Sequence, residues 1–162
     1  MLIGVLSDTH GNLRTTAAAL RVLAARQVAC VLHCGDIDDA TTVGLFENVP
    51  AHFVLGNCDV NVSSLGLAAR AVGATLHGRF AELELAGRRI AILHGDDQAR
   101  LAEAAAGGRY DYVFCGHTHA AEDRRAGPTR IINPGALDRA RPKTFVLLNL
   151  ATDELEWVTV AE

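Results

Sequence analysis

Short apolar runs of strand length recur along the chain, and each breaks off into a glycine-rich or polar exit. "LIGVLS" runs into "DTHGN", "ACVLHCG" into "DIDD" and "AHFVLG" into "NCD". Such runs read as buried strands. Between the first two, "LRTTAAALRVLAARQ" has a helical period, with Leu13, Ala17, Leu20 and Ala24 on one predicted apolar stripe and Asn12 as its cap. "DATTVGLFENV" predicts a short helix, and "SSLGLAARAVG" another that stops at Gly73. This β-α-β-α-β order predicts parallel strands joined by helical crossovers.

The period then changes. "RFAELELAG" alternates polar and apolar residues, and "RRIAILHG" follows a tight turn at Gly87, which predicts a hairpin. A helix over "DQARLAEAAAGG" precedes the strand "DYVFCG". Strand-like pieces around Glu122–Arg125 and in "TRIIN" flank "AGP", and "KTFVLLNLATDELEWVTV" predicts a second hairpin turning at Ala151-Thr152-Asp153. There is no internal repeat, low-complexity tract or linker. The expected fold is α/β: one domain over residues 1–162, a two-sheet mixed β-sandwich flanked by helices.

Composition narrows this picture. The 162 residues are 49% hydrophobic, enough for one substantial core, and only 5% aromatic, so that core is aliphatic. The net charge is -4 and the densest basic cluster, Arg124-Arg125 with Arg130, is short. Nucleic-acid binding is therefore not expected, although a nucleotide-sized substrate is compatible with it. No basic leader opens the sequence and no stretch approaches the ~20 apolar residues of a membrane span, so a cytoplasmic protein without a membrane partner is expected. Cys30, Cys34, Cys58 and Cys115 then read as reduced thiols, with Cys30 and Cys34 in the core.

Metal-competent side chains gather at the strand exits. Asp8 and His10 stand in the first, Asp36 in the second, Asn57 in the third, His94 in "HGDD", and His117 and His119 in "GHTH". Each alone has an ordinary reading: a helix cap, an Asx-turn, a packed core histidine. Their joint occurrence at successive strand ends is what points to a shared crevice, because ligands of open α/β sheets collect beyond the carboxyl ends of the strands. His33, in mid-strand, reads as packed, and His52 and His77 as structural or solvated.

The ordered set "DTH…GD…GNCD…H…GHTH" resembles the calcineurin-like metallophosphoesterase superfamily, and its small bacterial and archaeal phosphodiesterase branch in particular. "NPGA" at Asn133–Ala136 resembles that branch's Asn-Pro-Gly-Ser turn, with Ala136 in place of serine. The resemblance implies two divalent transition-metal ions, one held by Asp8, His10, Asp36 and His119, the other by Asp36, Asn57, His94 and His117. It favours manganese, with iron, cobalt, nickel or zinc compatible with a nitrogen- and oxygen-rich set. The activity implied is hydrolysis of a small phosphate ester, a diester by preference, through direct attack of a hydroxide bridging the two ions. A phosphomonoesterase on the same cage is the alternative. A protein-binding scaffold of the same fold, with an eroded metal site, is the alternative from another class, and a homo-oligomer is compatible with either. In the main reading Asp36, Asn57 and His117 carry catalysis through the ions and the phosphate. Cys58 stands where larger members carry a histidine that protonates the leaving group. Asp96, where the branch often has a second histidine, reads as the cap of the following helix in preference to a partner that orients His94 or a water. Arg139 and Arg141 are candidates for outer contacts that would reverse the diester preference, with a plain surface position as their ordinary reading.

Overall fold

The structure is a computed structural model that describes residues 1–160; positions 161 and 162 of the expected domain lie outside the described residues. β1 (Leu2–Leu6), β2 (Cys30–His33), β3 (Ala51–Phe53) and β4 (Thr75–Leu76) run parallel in the order the chain visits them. α1 (Leu13–Ala25), α2 (Ala40–Gly44) and α3 (Val62–Ala71) are their crossovers. The hairpin of β5 (Phe80–Leu85) and β6 (Arg88–Leu93) opens a second sheet. α4 (Gln98–Ala106), β7 (Tyr112–Phe114), β8 (Glu122–Ala126) and β9 (Thr129–Asn133) complete it, in the order β5-β6-β7-β9-β8. The chain then returns to the first sheet. β10 (Thr144–Asn149) pairs antiparallel with β1, and β11 (Glu154–Thr159) closes the edge, giving β11-β10-β1-β2-β3-β4. This is the mixed α/β sandwich with flanking helices that the patterning implied.

Strand alternation builds the layers. In β1, Ile3 and Val5 face the second sheet and meet Ile90, Ile92, Phe114 and Ile132, while Leu6 faces the helices with Leu23 and Phe53. β6 splits likewise: Ile90 and Ile92 point between the sheets, and Ala91 and Leu93 pack with Ala104 and Ala105 of α4. Successive strand residues alternate faces, so one short run serves two interfaces at once. Cys30 and Cys34 lie in the layer between the sheets, as core thiols.

Three expectations change. The buried face of α1 is Thr15, Thr16, Ala19 and Leu23; Leu13 is exposed and Ala24 faces solvent. The helix is turned toward Gly4, where a Cβ would stand 2.3 Å from Leu23 Cδ2, so glycine in β1 lets the helix settle on the strand. Thr16 can be buried because its hydroxyl donates to the Asn12 carbonyl at 2.8 Å. The helix expected over 39–49 spans only Ala40–Gly44. Beyond it, tight turns seat Phe46 edge-on against Phe53, at 4.9 Å between ring centroids. Those turns keep the amides of Leu45, Phe46, Glu47 and Val49 bonded to carbonyls three residues back while the ring is buried. β4 was not anticipated, because two residues make no readable run; only pairing with β3 defines it.

Gly4→Ala should cost about 1–3 kcal/mol by overpacking Leu23, measured by urea unfolding. In a Leu23→Ala background the same change should be close to neutral, so a double-mutant cycle reads the contact directly. Additive costs would mean that Leu23 does not fix the seat of the helix.

Candidate metal centre

The strand exits are sewn together by backbone hydrogen bonds before any side chain is considered. Asp8 N–H donates to the Gly35 carbonyl at 3.0 Å, His10 to Asp36 at 3.0 Å and Gly11 to Ile37 at 3.1 Å, so the first two exits continue side by side beyond their strands. Gly116 N–H donates to the His94 carbonyl at 2.8 Å, joining the exits of the second sheet. The two sheets meet where His117 N–H donates to Asp8 Oδ2 at 3.1 Å. Two glycines make this approach possible. A Cβ on Gly56 would stand 2.0 Å from Asp36 Oδ1, and one on Gly116 would stand 1.9 Å from Ser7 Oγ.

Asp59 is the clasp, and the sequence reading gave it no role. Its buried carboxylate accepts four backbone amides: Ile37 and Asp38 on Oδ1, both at 2.8 Å, and Asp36 and Gly56 on Oδ2, at 2.9 and 2.7 Å. The β2 and β3 exits are thereby held by one side chain. His33 is a second strut. The Gly35 amide donates to its Nδ1 at 3.2 Å, so the ring proton is on Nε2, 3.1 Å from the Thr9 hydroxyl. Burial pushes this imidazole down to about 3, which keeps it neutral in that role. The packed reading of His33 is correct, and it is packed for a purpose. Asn133 of "NPGA" donates to the Gly116 carbonyl at 2.9 Å and to Thr118 Oγ1 at 3.0 Å, fixing the "GHTH" loop.

Into this frame project most of the expected side chains. His119 Nε2 lies 3.1 Å from Asp8 Oδ1 and 3.4 Å from His10 Nε2, and His94 Nε2 lies 3.3 Å from Asp36 Oδ2. His10 Nε2 is 3.7 Å from Asp36 Oδ2 and 3.9 Å from Asp8 Oδ1. Asp8–His10–His119 and Asp8–Asp36–His94 are thus groups with metal-ligand spacing. Asn57 and His117 sit at the exposed rim: the Asn57 amide is 3.4 Å from Cys58 Sγ, and the His117 ring packs edge-on to His94 at 5.1 Å between centroids. A third group, His10–Asp36–Cys58, includes a thiol that the sequence reading did not treat as a ligand.

The outer atom of the His94 ring is fixed, which decides what faces inward. His94 Nδ1 is 2.8 Å from the Cys34 carbonyl, so it carries the proton and leaves the Nε2 lone pair toward the carboxylates. His10 Nδ1 lies 3.4 Å from Asp38 Oδ2, a charge contact without hydrogen-bond geometry; Asp38 was missed, although the acidic density of "DIDD" signalled it. Asp8 Oδ1 and His94 Nε2 are buried with no hydrogen-bond partner. Burial alone would raise the Asp36 carboxyl, but the adjacent His94 imidazole and a hydrogen bond from the Cys58 amide outweigh it and hold the carboxyl below the usual range. Burial likewise opposes the His94 cation, yet Asp36 prevails and the ring is raised. Burial and Asp36 push the Cys58 thiol up to about 11, so no thiolate nucleophile is present near neutral pH. Asp96 is not the helix cap: Asp97 is, accepting from Arg100 N–H at 3.0 Å, and Asp96 pairs with Arg79. His52 and His77 hydrogen-bond to each other at 3.0 Å, away from these exits.

A sandwich of this topology, with aspartates and histidines converging at its strand ends, defines a metallophosphoesterase. The profile of the calcineurin-like phosphoesterase superfamily domain matches residues 1–153, and the chain belongs to that superfamily. It is 31% identical to a phosphodiesterase of Methanocaldococcus jannaschii over 138 residues, 83% of each chain. It is also 28% identical to a probable metallophosphoesterase of Methanothermobacter thermautotrophicus over 165 residues, 96% of this chain and 90% of that one. Among solved structures, a novel archaeal phosphodiesterase superposes with a TM-score of 0.93 at 27% identity, covering 99% of this chain and 100% of the other. A zinc-bound Vps29 of Entamoeba histolytica shares the fold, with a TM-score of 0.67 at 18% identity over 98% and 99% of the two chains. The chain is a phosphoesterase of the small archaeal and bacterial branch. Among the described residues no helix is long and apolar enough to cross a membrane.

Asp59→Ala would strand four backbone amides, three of them buried, and should lower stability by at least about 3 kcal/mol. The measurement is denaturant unfolding of metal-free protein, beside Asp59→Asn, which keeps one oxygen acceptor and should cost less. A change within 0.5 kcal/mol, the range of ordinary surface substitutions, would remove Asp59 from its role.

Proposed function

We propose that this phosphoesterase is a metal-dependent phosphodiesterase with two divalent ions. Asp8, His10, Asp36 and His119 hold one, and Asp36, Asn57, His94 and His117 hold the other. The observation that carries this reading is the set of buried, inward-facing atoms without hydrogen-bond partners, Asp8 Oδ1 and His94 Nε2, beside two imidazole nitrogens 3.4 Å apart. Without cations or protons between them, those lone pairs repel. Divalent ions relieve the repulsion, and buried polar groups are otherwise satisfied in native structures. Asp36 suits the shared position: the Cys58 amide takes Oδ1 at 2.9 Å, leaving Oδ2 near both His10 and His94. Manganese is the ion that the superfamily resemblance favours, and a donor set of imidazole, carboxylate and amide is also compatible with iron, cobalt, nickel or zinc. The four cysteines are free thiols, in keeping with a cytoplasmic protein.

Bound ions would supply Lewis acidity for the phosphate oxygens and for water. The protein's own part is placement. Two ions and two carboxylates leave the cage about +2, and a hydroxide leaves about +1, which a monoanionic diester neutralises and a dianionic monoester exceeds. His117 stands exposed at the rim with its backbone anchored on Asp8, so its ring can meet an ion and a phosphate oxygen together. At the position where larger relatives place an acid, Cys58 holds its proton too tightly to donate it efficiently near neutral pH.

Two outcomes follow. Asp36→Asn should lose bound metal, read by elemental analysis after reloading, together with about 10²-fold or more of kcat/KM on bis-p-nitrophenyl phosphate. A variant that binds metal and turns over like the wild type would overturn the shared-carboxylate assignment. Aryl diesters should be cleaved about 10²–10⁴-fold faster than matched alkyl diesters, because no strong acid assists the leaving group. Equal chemistry-limited rates would place an efficient acid in the site after all.

A further inference from the structure

Of the four free thiols, Cys58 alone is not buried. It stands on the turn that delivers Asn57, between that residue and the Asp59 clasp. Its backbone N–H donates to Asp36 Oδ1 at 2.9 Å and its carbonyl accepts from Val60 N–H at 2.9 Å, so the base of the side chain is fixed. From there Sγ lies within 4.8 Å of a His10 ring nitrogen and of an Asp36 carboxylate oxygen, which are themselves within that distance of each other. The Asn57 amide nitrogen donates to Sγ at 3.4 Å, a contact that suits an anionic sulfur.

Cys58 does not stand alone there. The His10 side chain is 1% exposed and its Nδ1 has no hydrogen-bond partner, and Asp8 Oδ1 and His94 Nε2 are likewise buried and unpartnered. Cys30, Cys34 and Cys115 belong to no group of metal-ligand spacing among the described residues.

We propose that Cys58 is a conditional ligand of the ion held by Asp8, His10, Asp36 and His119: its sulfur binds a thiophilic ion such as zinc and leaves a hard ion such as manganese to water and substrate. The residue thus sorts metals, and it closes a zinc-loaded centre. The proposal rests on the two-ion reading above. Thiolate is a soft donor that favours zinc, whereas carboxylate and water suit manganese. On ligation the sulfur gives an electron pair to the ion and the S–H proton passes to solvent, with no change of oxidation state. The added negative charge brings the cage from about +2 to about +1, the value that a hydroxide would otherwise give it. A further protein donor also fills a position that a catalytic site keeps open for water or substrate.

Cobalt stands in for zinc and reports a thiolate ligand directly, by a charge-transfer band in the near ultraviolet beside its visible d–d bands. Metal-stripped wild type titrated with cobalt under reducing conditions should show both. Cys58→Ser should keep the visible bands and lose the ultraviolet one. A direct ligand should matter at least as much as an outer-shell partner. Zinc affinity, read by competition with a chromophoric chelator, should therefore fall about tenfold or more in the variant while manganese affinity holds. Zinc-loaded Cys58→Ser should cleave bis-p-nitrophenyl phosphate about tenfold faster than zinc-loaded wild type. Visible bands without the ultraviolet band in wild type, an ultraviolet band that survives in the variant, or equal losses of zinc and manganese affinity would each overturn the ligand. Ligation without the gain in zinc turnover would overturn the closure. Loss of the visible bands in the variant would make Cys58 a structural part of the cage and overturn the sorting role. A wild type that shows no cobalt bands at all fails the two-ion reading itself, and the missing visible absorption tells that outcome from a failed ligand.

Discussion

A single buried carboxylate, Asp59, holds four backbone amides from the loops that leave β2 and β3. Those loops turn so sharply that their N–H groups point inward, where neither a neighbouring strand nor water can take them. An ionised acceptor meets that need with charge-assisted bonds, each stronger than a neutral one. Asp36 hangs on the same clasp through its own amide. The position of the central carboxylate is therefore set by a residue that never faces the crevice.

The rest of the centre is tense in the same way. Asp8, His10, Asp36, His117 and His119 all have positive φ, as does Asp38. The left-handed region costs a non-glycine residue roughly 1–2 kcal/mol, less for aspartate. Such a cluster persists only when its surroundings over-determine it. They do so through the Gly35–His33–Thr9 chain, the Asn133 bonds to the "GHTH" loop and the bare backbones of Gly56 and Gly116. The consequence for function is preorganisation: inward-facing lone pairs are assembled by the protein's own bonds, and a cation finds them in place.

The fold alone does not decide the chemistry. Phosphodiesterases and a vacuolar sorting protein share this sandwich, and the latter resemblance, below 25% identity, shows architecture only. What distinguishes this chain is the content of the strand exits: buried carboxylates and imidazoles, with His94 fixed by the Cys34 carbonyl and Asp36 by the Cys58 amide.

The sequence by itself determined the layers, the strand exits and the residue types gathered there. Alternation and helical period are local, and one short run such as "LIGVL" reports its two faces directly. It also carried the superfamily resemblance, because the spacings within "DTH" and "GHTH" are local too. Tertiary structure alone decided the facing of α1, which follows Leu23 into the space above Gly4, and the two-residue β4, which exists only through its partner. It alone revealed Asp59 as a clasp, Asp38 behind His10 and Asp97 in place of Asp96 as the cap. Each of those roles depends on which amide or ring arrives from a distant loop. A one-dimensional pattern records what a residue can bind, and only the packed chain brings it a partner.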